Sequence, residues 1–249
     1  MEQYLRHYHS YEKSLIYSFS LGEGGIGDCI KFFIAVLNEC IDTKKKIYYL
    51  ITDAPLEEFI KLHYSQFYIT KSQLTTLNNY EIRGPVYYYN SFRYEQITMP
   101  VNTIFRFSEI IIDNKKKLFP ETINYCSIHI RLGDKYLETD KTFVLCKEDT
   151  RGYNEEKICE YIDSLDGNVL LFSDNNELKL RMKNKYNKIK IINSSIGHTS
   201  LSNTSRQQTI DTITEFYILT MSDNIAVNTK SGFSMMASKF KETPVIELF

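Results

Sequence analysis

Apolar runs separated by turn residues recur along the chain, and they alternate between strand-like and helix-like periods. "SLIYSFSL" (14–21) has the length and composition of a buried strand, and the turn "GEGGIGD" (22–28) follows it. "DCIKFFIAVLNECI" (28–41) repeats apolar residues every three or four positions and predicts an amphipathic helix. "KIYYLIT" (46–52) predicts a second strand, and "APLEEFIKLHY" (54–64) a short helix opened by Pro55. Between 65 and 100 the pattern is irregular, with "FYIT" (67–70) and "PVYYYN" (85–90) reading as strands. "NTIFRFSEIIIDNKKKLF" (102–119) predicts a helix capped by Asn102 and ending in lysines that suit its dipole.

A second series begins after Pro120. "YCSIHIRL" (125–132), "NVLLFSD" (168–174), "KIKIIN" (188–193), "NIAVNT" (224–229) and "TPVIEL" (243–248) read as strands. Helical patterns at 154–165, 176–186, 209–222 and 232–240 lie between them, with a polar loop from Ser194 to Gln208. Regular alternation of this kind predicts an α/β protein in which a parallel sheet carries helices on both faces. The expected organisation is two Rossmann-like units, 1–119 and 120–249, facing each other across a ligand cleft.

Composition narrows the function classes. Lys and Arg total 30 and Asp and Glu 31, a net charge of −1 that gives no general case for nucleic acid or an anionic membrane. The five cysteines, at 29, 40, 126, 146 and 159, form no CxxC pair, so neither a zinc motif nor a disulfide framework is indicated and free thiols are expected. The start, "MEQYLRHYHSYEK", lacks the apolar core of a signal peptide, and "CIKFFIAVL" is too short to span a bilayer. A soluble, cytoplasmic protein without a membrane span is the expectation.

Candidate chemistry sits at four predicted strand ends, where open α/β sheets bind ligands. In the first turn, Gly22, Gly24 and Gly27 match G-x-G-x-x-G, and Gly25 and Gly27 lie where a helix N-terminus would meet a phosphate or sugar. The same pattern suits a dinucleotide cofactor, with Asp53 as the ribose acid, or a plain turn that needs glycine. Glu23 and the distant spacing of Asp53 argue against the dinucleotide reading. In the second, His129 and Arg131 share one face of a strand otherwise apolar, which is costly unless a partner neutralises them. Arg131 suits bidentate binding of phosphate oxygens, and a salt bridge to Asp134 or another carboxylate is the alternative. In the third, Ser173 and Asp174 either contact a ligand or cap the next helix. In the fourth, Ser231, Gly232 and Ser234 open a helix beside Phe233. Asp211 and Glu215, one turn apart on the preceding helix, form either a ligand-facing pair or a solvated face. His198, in "SIGHTSL", reads as a structural or exposed loop histidine. No D-x-D, GxxxxGK[ST], HExxH or GxSxG occurs.

Together, "GGIGD", "HIRLGD" and "EFYILTMSDNIAVNTKSGFSMMAS" resemble, in order, three motifs of the fucosyltransferase superfamily with the GT-B fold, which includes α1,2- and α1,6-fucosyltransferases and protein O-fucosyltransferases. The resemblance covers mainly residues 125–240. It implies an inverting transfer of fucose from GDP-fucose to a glycan or other hydroxyl acceptor, without a metal or further cofactor. It assigns the β-phosphate to Arg131, a place beside the nucleotide to His129, the guanine base to Glu215 with Asp211 as fallback, and phosphate and sugar to Ser231, Gly232, Phe233 and Ser234. Asp28 and Glu23 are the candidate general bases. Leu132 and Gly232 depart from the resemblance, since a second arginine and a serine are common at those places. An NAD(P)-dependent oxidoreductase using the first turn, and a non-catalytic nucleotide-sugar-binding protein, are the alternatives.

Overall fold

Two parallel sheets form on the longest apolar runs. The computed structural model describes residues 1–52, 56–121, 123–133, 151–195 and 197–249. The first part of the chain runs α1 (Glu2–His7), β1 (Ser14–Ser20), α2 (Ile26–Thr43), β2 (Lys46–Thr52), α3 (Leu56–Phe59), β3 (Ile60–Leu62), α4 (Lys71–Leu74), β4 (Tyr80–Arg83), α5 (Pro85–Tyr88), β5 (Phe105–Phe107) and α6 (Glu109–Leu118). The second runs β6 (Cys126–Ile130), α7 (Glu155–Asp163), β7 (Val169–Ser173), α8 (Asn176–Lys185), β8 (Ile189–Ile191), α9 (Arg206–Leu219), β9 (Asn224–Val227), α10 (Gly232–Ser238) and β10 (Val245–Glu247).

Strand order explains where a ligand can enter. The first sheet has the order β2-β1-β4, and the second β10-β9-β6-β7-β8; every pairing within them is parallel. In each, the strand that comes first in the chain lies inside the sheet, and later strands add on both of its sides. The carboxyl ends of β1 and β6 are therefore topological switch points, where connections diverge and leave a crevice. This is a two-unit α/β architecture of the GT-B type.

Alternation along β6 sorts its side chains between two cores. Ile128 and Ile130 pack with Ile158 and Ile162 of α7 and Met182 of α8 on one face. Ser127 and His129 occupy the other, toward α9 and α10, where Phe216, Met236 and Ala237 belong to a larger apolar cluster. That cluster also holds Phe33, Val36 and Leu37 of α2 and Tyr17 of β1, so one continuous core ties the two sheets together.

The first half departs from the expected elements. The segment 54–64 divides into helix α3 and strand β3, and β3 pairs antiparallel with β5, inside the stretch expected to be helical. The helix expected at 102–119 begins at Glu109 with Ser108, not Asn102, in the capping position. "PVYYYN" begins as helix α5, because Pro85 at its first turn outweighs the strand preference of three tyrosines. "FYIT" forms only an isolated bridge from Tyr68 to Tyr49. Cys29, Cys40, Cys126 and Cys159 are free thiols. Among the described residues, no helix is long and apolar enough to cross a membrane.

Candidate functional site

The carboxyl ends of β1 and β6 open on one cleft of about 440 Å³. Gly22–Asp28, Phe32 and Tyr89 line one wall; His129, Arg131, Ser173, Asp174, Glu215 and Ser231–Phe233 belong to the other.

Arg131 is fixed from both neighbouring strands. Its Nη1 lies 2.7 Å from Oδ2 of Asp174, which follows β7. The same carboxylate accepts the N–H groups of Leu132 (2.9 Å) and Gly133 (3.0 Å). From the end of β9, Asn228 accepts the Arg131 N–H through Oδ1 (2.8 Å) and donates to the Arg131 carbonyl through Nδ2 (3.1 Å). The salt-bridge alternative thus holds with Asp174 as partner, while Asp134 lies outside the described residues. Asp174 does not cap the next helix. Asn175 does, accepting the Leu178 N–H at 2.8 Å, while Ser173 Oγ accepts the Asn175 N–H.

His129 is not a second cation. Burial and then the adjacent Arg131 charge push its pKa down to about 3, so the ring is neutral at ordinary pH. It packs on Phe233 with centroids 5.3 Å apart, and its buried Nδ1 has no hydrogen-bond partner among the described residues. The strand end therefore presents one guanidinium and one neutral ring to the cleft, where the sequence suggested two basic groups.

The amides of the glycine turn are satisfied partly from within it and partly from the other half. The Gly25 N–H donates to Asp28 Oδ2 (3.2 Å), and the Ile26 N–H donates to Thr199 Oγ1 (3.1 Å). Glu23 is exposed and its carboxylate accepts the Ser20 N–H. Two amides at the start of α2 are thus occupied, and the Asp28 carboxylate sits where an anion would use the helix dipole. Burial raises the Asp28 carboxyl above its usual range, against the pull of the Gly25 N–H and Lys31. Gly27 is explained by packing: a Cβ there would lie 2.3 Å from the Gly232 carbonyl oxygen, so the two halves touch backbone to backbone. Asp53 lies outside the described residues.

The acidic pair on α9 is buried on both counts, which excludes the solvated face. Glu215 lines the cleft, 3.1 Å from Lys179 Nζ, and also accepts the Ser194 hydroxyl. Asp211 does not line it. Its Oδ1 accepts from Asn114 (3.1 Å) and Gln207 (2.7 Å), and its Oδ2 from the Ser195 N–H (3.1 Å). Ser231 caps its helix and lines the cleft with Gly232 and Phe233, whereas Ser234 is fully buried and donates to the Ser231 carbonyl.

Several lining residues escaped the sequence reading: Arg151, Lys230, Ser194, Thr212, Thr199, Phe32 and Tyr89; His198, expected to be structural or exposed, is half-buried and lines the cleft with them. Nothing local distinguished them; His198 and Thr199 reach the cleft because their loop lies against the glycine turn of the other half. Asn228 was a readable signal, a polar residue directly after a buried strand. Leu132 packs into the apolar cluster on the other face of the sheet, while Arg151, whose N–H donates to the Leu132 carbonyl (2.8 Å), lines the cleft. Among the described residues, no group of three or more His, Cys, Asp and Glu side chains is placed to hold a metal ion.

The chain has the fold of the GT-B fucosyltransferases. NodZ α1,6-fucosyltransferase, a Bradyrhizobium protein, co-crystallised with GDP, superposes with a TM-score of 0.56 at 10% identity, over 95% of this chain and 94% of that one. POFUT1 in complex with GDP gives 0.57 at 13% identity, over 95% and 98%. A mutant of FUT1 from Arabidopsis thaliana in complex with GDP gives 0.57 at 10% identity, over 98% and 73%. No protein-family model and no curated protein matches the sequence.

Proposed function

We propose that the protein is a fucosyltransferase-like glycosyltransferase that takes GDP-fucose as donor. Residues 120–249 form the nucleotide-sugar side and residues 1–119 the acceptor side. The observation that carries this reading is Arg131, held at the switch point of the second sheet by Asp174 and Asn228 so that its charge faces the cleft. A departing diphosphate needs positive charge at such a point, and a pre-positioned guanidinium supplies it without reorganisation. NodZ and POFUT1 have been solved with GDP-fucose, which agrees with this donor.

The transfer is inverting. The acceptor oxygen attacks the anomeric carbon as the bond to the β-phosphate oxygen breaks, and GDP leaves against Arg131. Phe233 and the neutral His129 flank the nucleotide, Glu215 accepts hydrogen bonds from the base, and Ser231 and Gly232 contact phosphate and sugar. Asp28 is the better of the two candidate bases, because burial raises its carboxyl toward the range where it can take a proton. Glu23 is exposed and engaged with the Ser20 N–H. Exposed Tyr87 and Tyr89, the latter at the cleft, offer ring faces to a sugar acceptor.

The test is competition binding followed by a transfer assay. GDP binds at least about tenfold more tightly than ADP or UDP, a difference of roughly 1.4 kcal/mol. GDP-fucose is consumed with a hydroxyl acceptor present, and EDTA leaves the rate unchanged. NAD binding without GDP binding would replace this reading with an oxidoreductase. GDP binding without turnover on any acceptor would leave a nucleotide-sugar-binding protein. Strict dependence on added manganese would remove the metal-free mechanism.

A further inference from the structure

We propose that Lys179 is a positioning residue for nucleotide selection: through its ion pair it holds Glu215 as an ionised hydrogen-bond acceptor in the cleft. The inference rests on the nucleotide-sugar reading of that cleft. Lys179 lies on α8, a lysine-rich helix whose Lys183 and Lys185 are exposed, but its own side chain is only 1% exposed. Its Nζ donates to Glu215 Oε1 at 3.1 Å and to the Ile192 carbonyl at 3.2 Å. A buried ammonium is costly without a charged partner, and a buried carboxylate equally so. Each group therefore keeps the other charged.

The division of labour between the two carboxylate oxygens gives the pair a function. Oε1 takes both Lys179 and the Ser194 hydroxyl, and no hydrogen bond to Oε2 is found among the described residues. Glu215 lines the cleft, so Oε2 is left to accept from whatever enters. Asp211, one turn earlier, is engaged by Asn114, Gln207 and the Ser195 N–H and does not line the cleft. An ionised carboxylate only accepts, so it favours a base edge made of donors, as guanine presents with its N1–H and exocyclic amine. A protonated carboxyl donates once and accepts once, which suits the adenine edge instead. Lys179 thus sets which edge Glu215 can read, although it need not touch the base itself.

The experiment is competition binding of GDP and ADP to the full chain, with melting curves to show that each variant is folded. The wild type prefers GDP at least tenfold. K179M lowers that preference at least fivefold, K179R retains most of it, and E215Q lowers it as K179M does. The double variant K179M/E215Q has the same preference as E215Q within twofold, because Lys179 acts through Glu215. If K179M does not fold, K179Q gives the same readout, since its neutral amide leaves Glu215 without a charge partner. A selective wild type with an unchanged ratio in K179M or K179Q overturns the inference alone, as does a double variant that falls well below E215Q. A wild type that binds both diphosphates equally overturns the guanine reading and this inference with it.

Discussion

The turn after β1 and the turn after β6 both leave an interior strand of a parallel sheet and both open on the same cleft, yet they are built for different tasks. In the first, the amides of Gly25 and Ile26 are taken by Asp28 and Thr199, and Gly27 is a contact point against Gly232. In the second, Asp174 and Asn228 bind the backbone of residues 131–133, and the side chain of Arg131 lines the cleft. The glycine pattern is the more conspicuous motif in the sequence, but its visible work is geometric. The proposed function places the chemistry in the other turn, with its single arginine and buried partners. A glycine-rich turn is thus weaker evidence for an anion site than a strand-end arginine whose backbone is held on both sides.

The contrast is broken most severely at Gly27. A methyl group there meets the Gly232 carbonyl oxygen at 2.3 Å, backbone against backbone, and neither side can rotate away. Gly27→Ala is expected to cost about 2–4 kcal/mol, at or above the usual range for overpacking. Thermal or urea melting measures it. A variant as stable as the parent would show that the two halves are not pressed together at this point.

Arg131→Ala tests the other turn. Loss of a charge-assisted contact is worth roughly 1.5–3 kcal/mol, so GDP binding should weaken about tenfold to a hundredfold, with partial rescue by Arg131→Lys. Asp174 is left as a buried carboxylate without its cation, so some stability is lost as well. Binding is therefore compared at a temperature where both proteins are folded. Unchanged GDP affinity would make Arg131 a structural salt-bridge residue.

How much of this was legible in the sequence follows from element length. β1, β2, β6, β7 and β9 are continuous apolar runs bounded by turns, and α2 has a long periodic face, so each could be read locally. β3 and β5 have three residues each, too few to carry a period, and they exist because they pair with each other across more than forty positions. His129, Arg131, Ser173 and Asp174 were legible as strand-end residues. The state of His129 was not, because the ring packed against it, Phe233 of α10, comes from a distant segment. Lys179 looks like its exposed neighbours until Glu215 is brought beside it.

The neutral state of His129 can be measured through pH. Its pKa is about 3 when folded and about 6.5 when unfolded. Between those values the unfolded chain binds more protons, so stability is full above about pH 6.5 and falls as the pH is lowered, by at most about 1.4 kcal/mol per unit. His129→Phe keeps a ring against Phe233 and removes this proton. The stability difference between the variant and the parent should shift in the variant's favour by about 1.4 kcal/mol between pH 7.5 and pH 5.5, read from urea melts. An unchanged difference would mean that folding leaves the His129 pKa at its unfolded value, and a shift in the parent's favour would mean that the folded protein holds His129 protonated beside Arg131.

The smallest expected effect sharpens the account of the first turn. Gly22 has φ +92°, a conformation side chains rarely adopt, yet a Cβ there meets nothing within 4 Å. Gly22→Ala therefore carries a backbone cost only, about 1 kcal/mol, with no collision to add. For a chain of this size that corresponds to a fall in Tm of roughly 2–4 °C. GDP affinity should not change, since no chemical group is removed from the cleft and Arg131 is untouched. If Gly22→Ala cost as much as Gly27→Ala, backbone conformation would weigh as heavily in this turn as the contact with Gly232. If it abolished GDP binding while the protein stayed folded, the first turn would hold the ligand after all, and the division of labour between the two turns would fail.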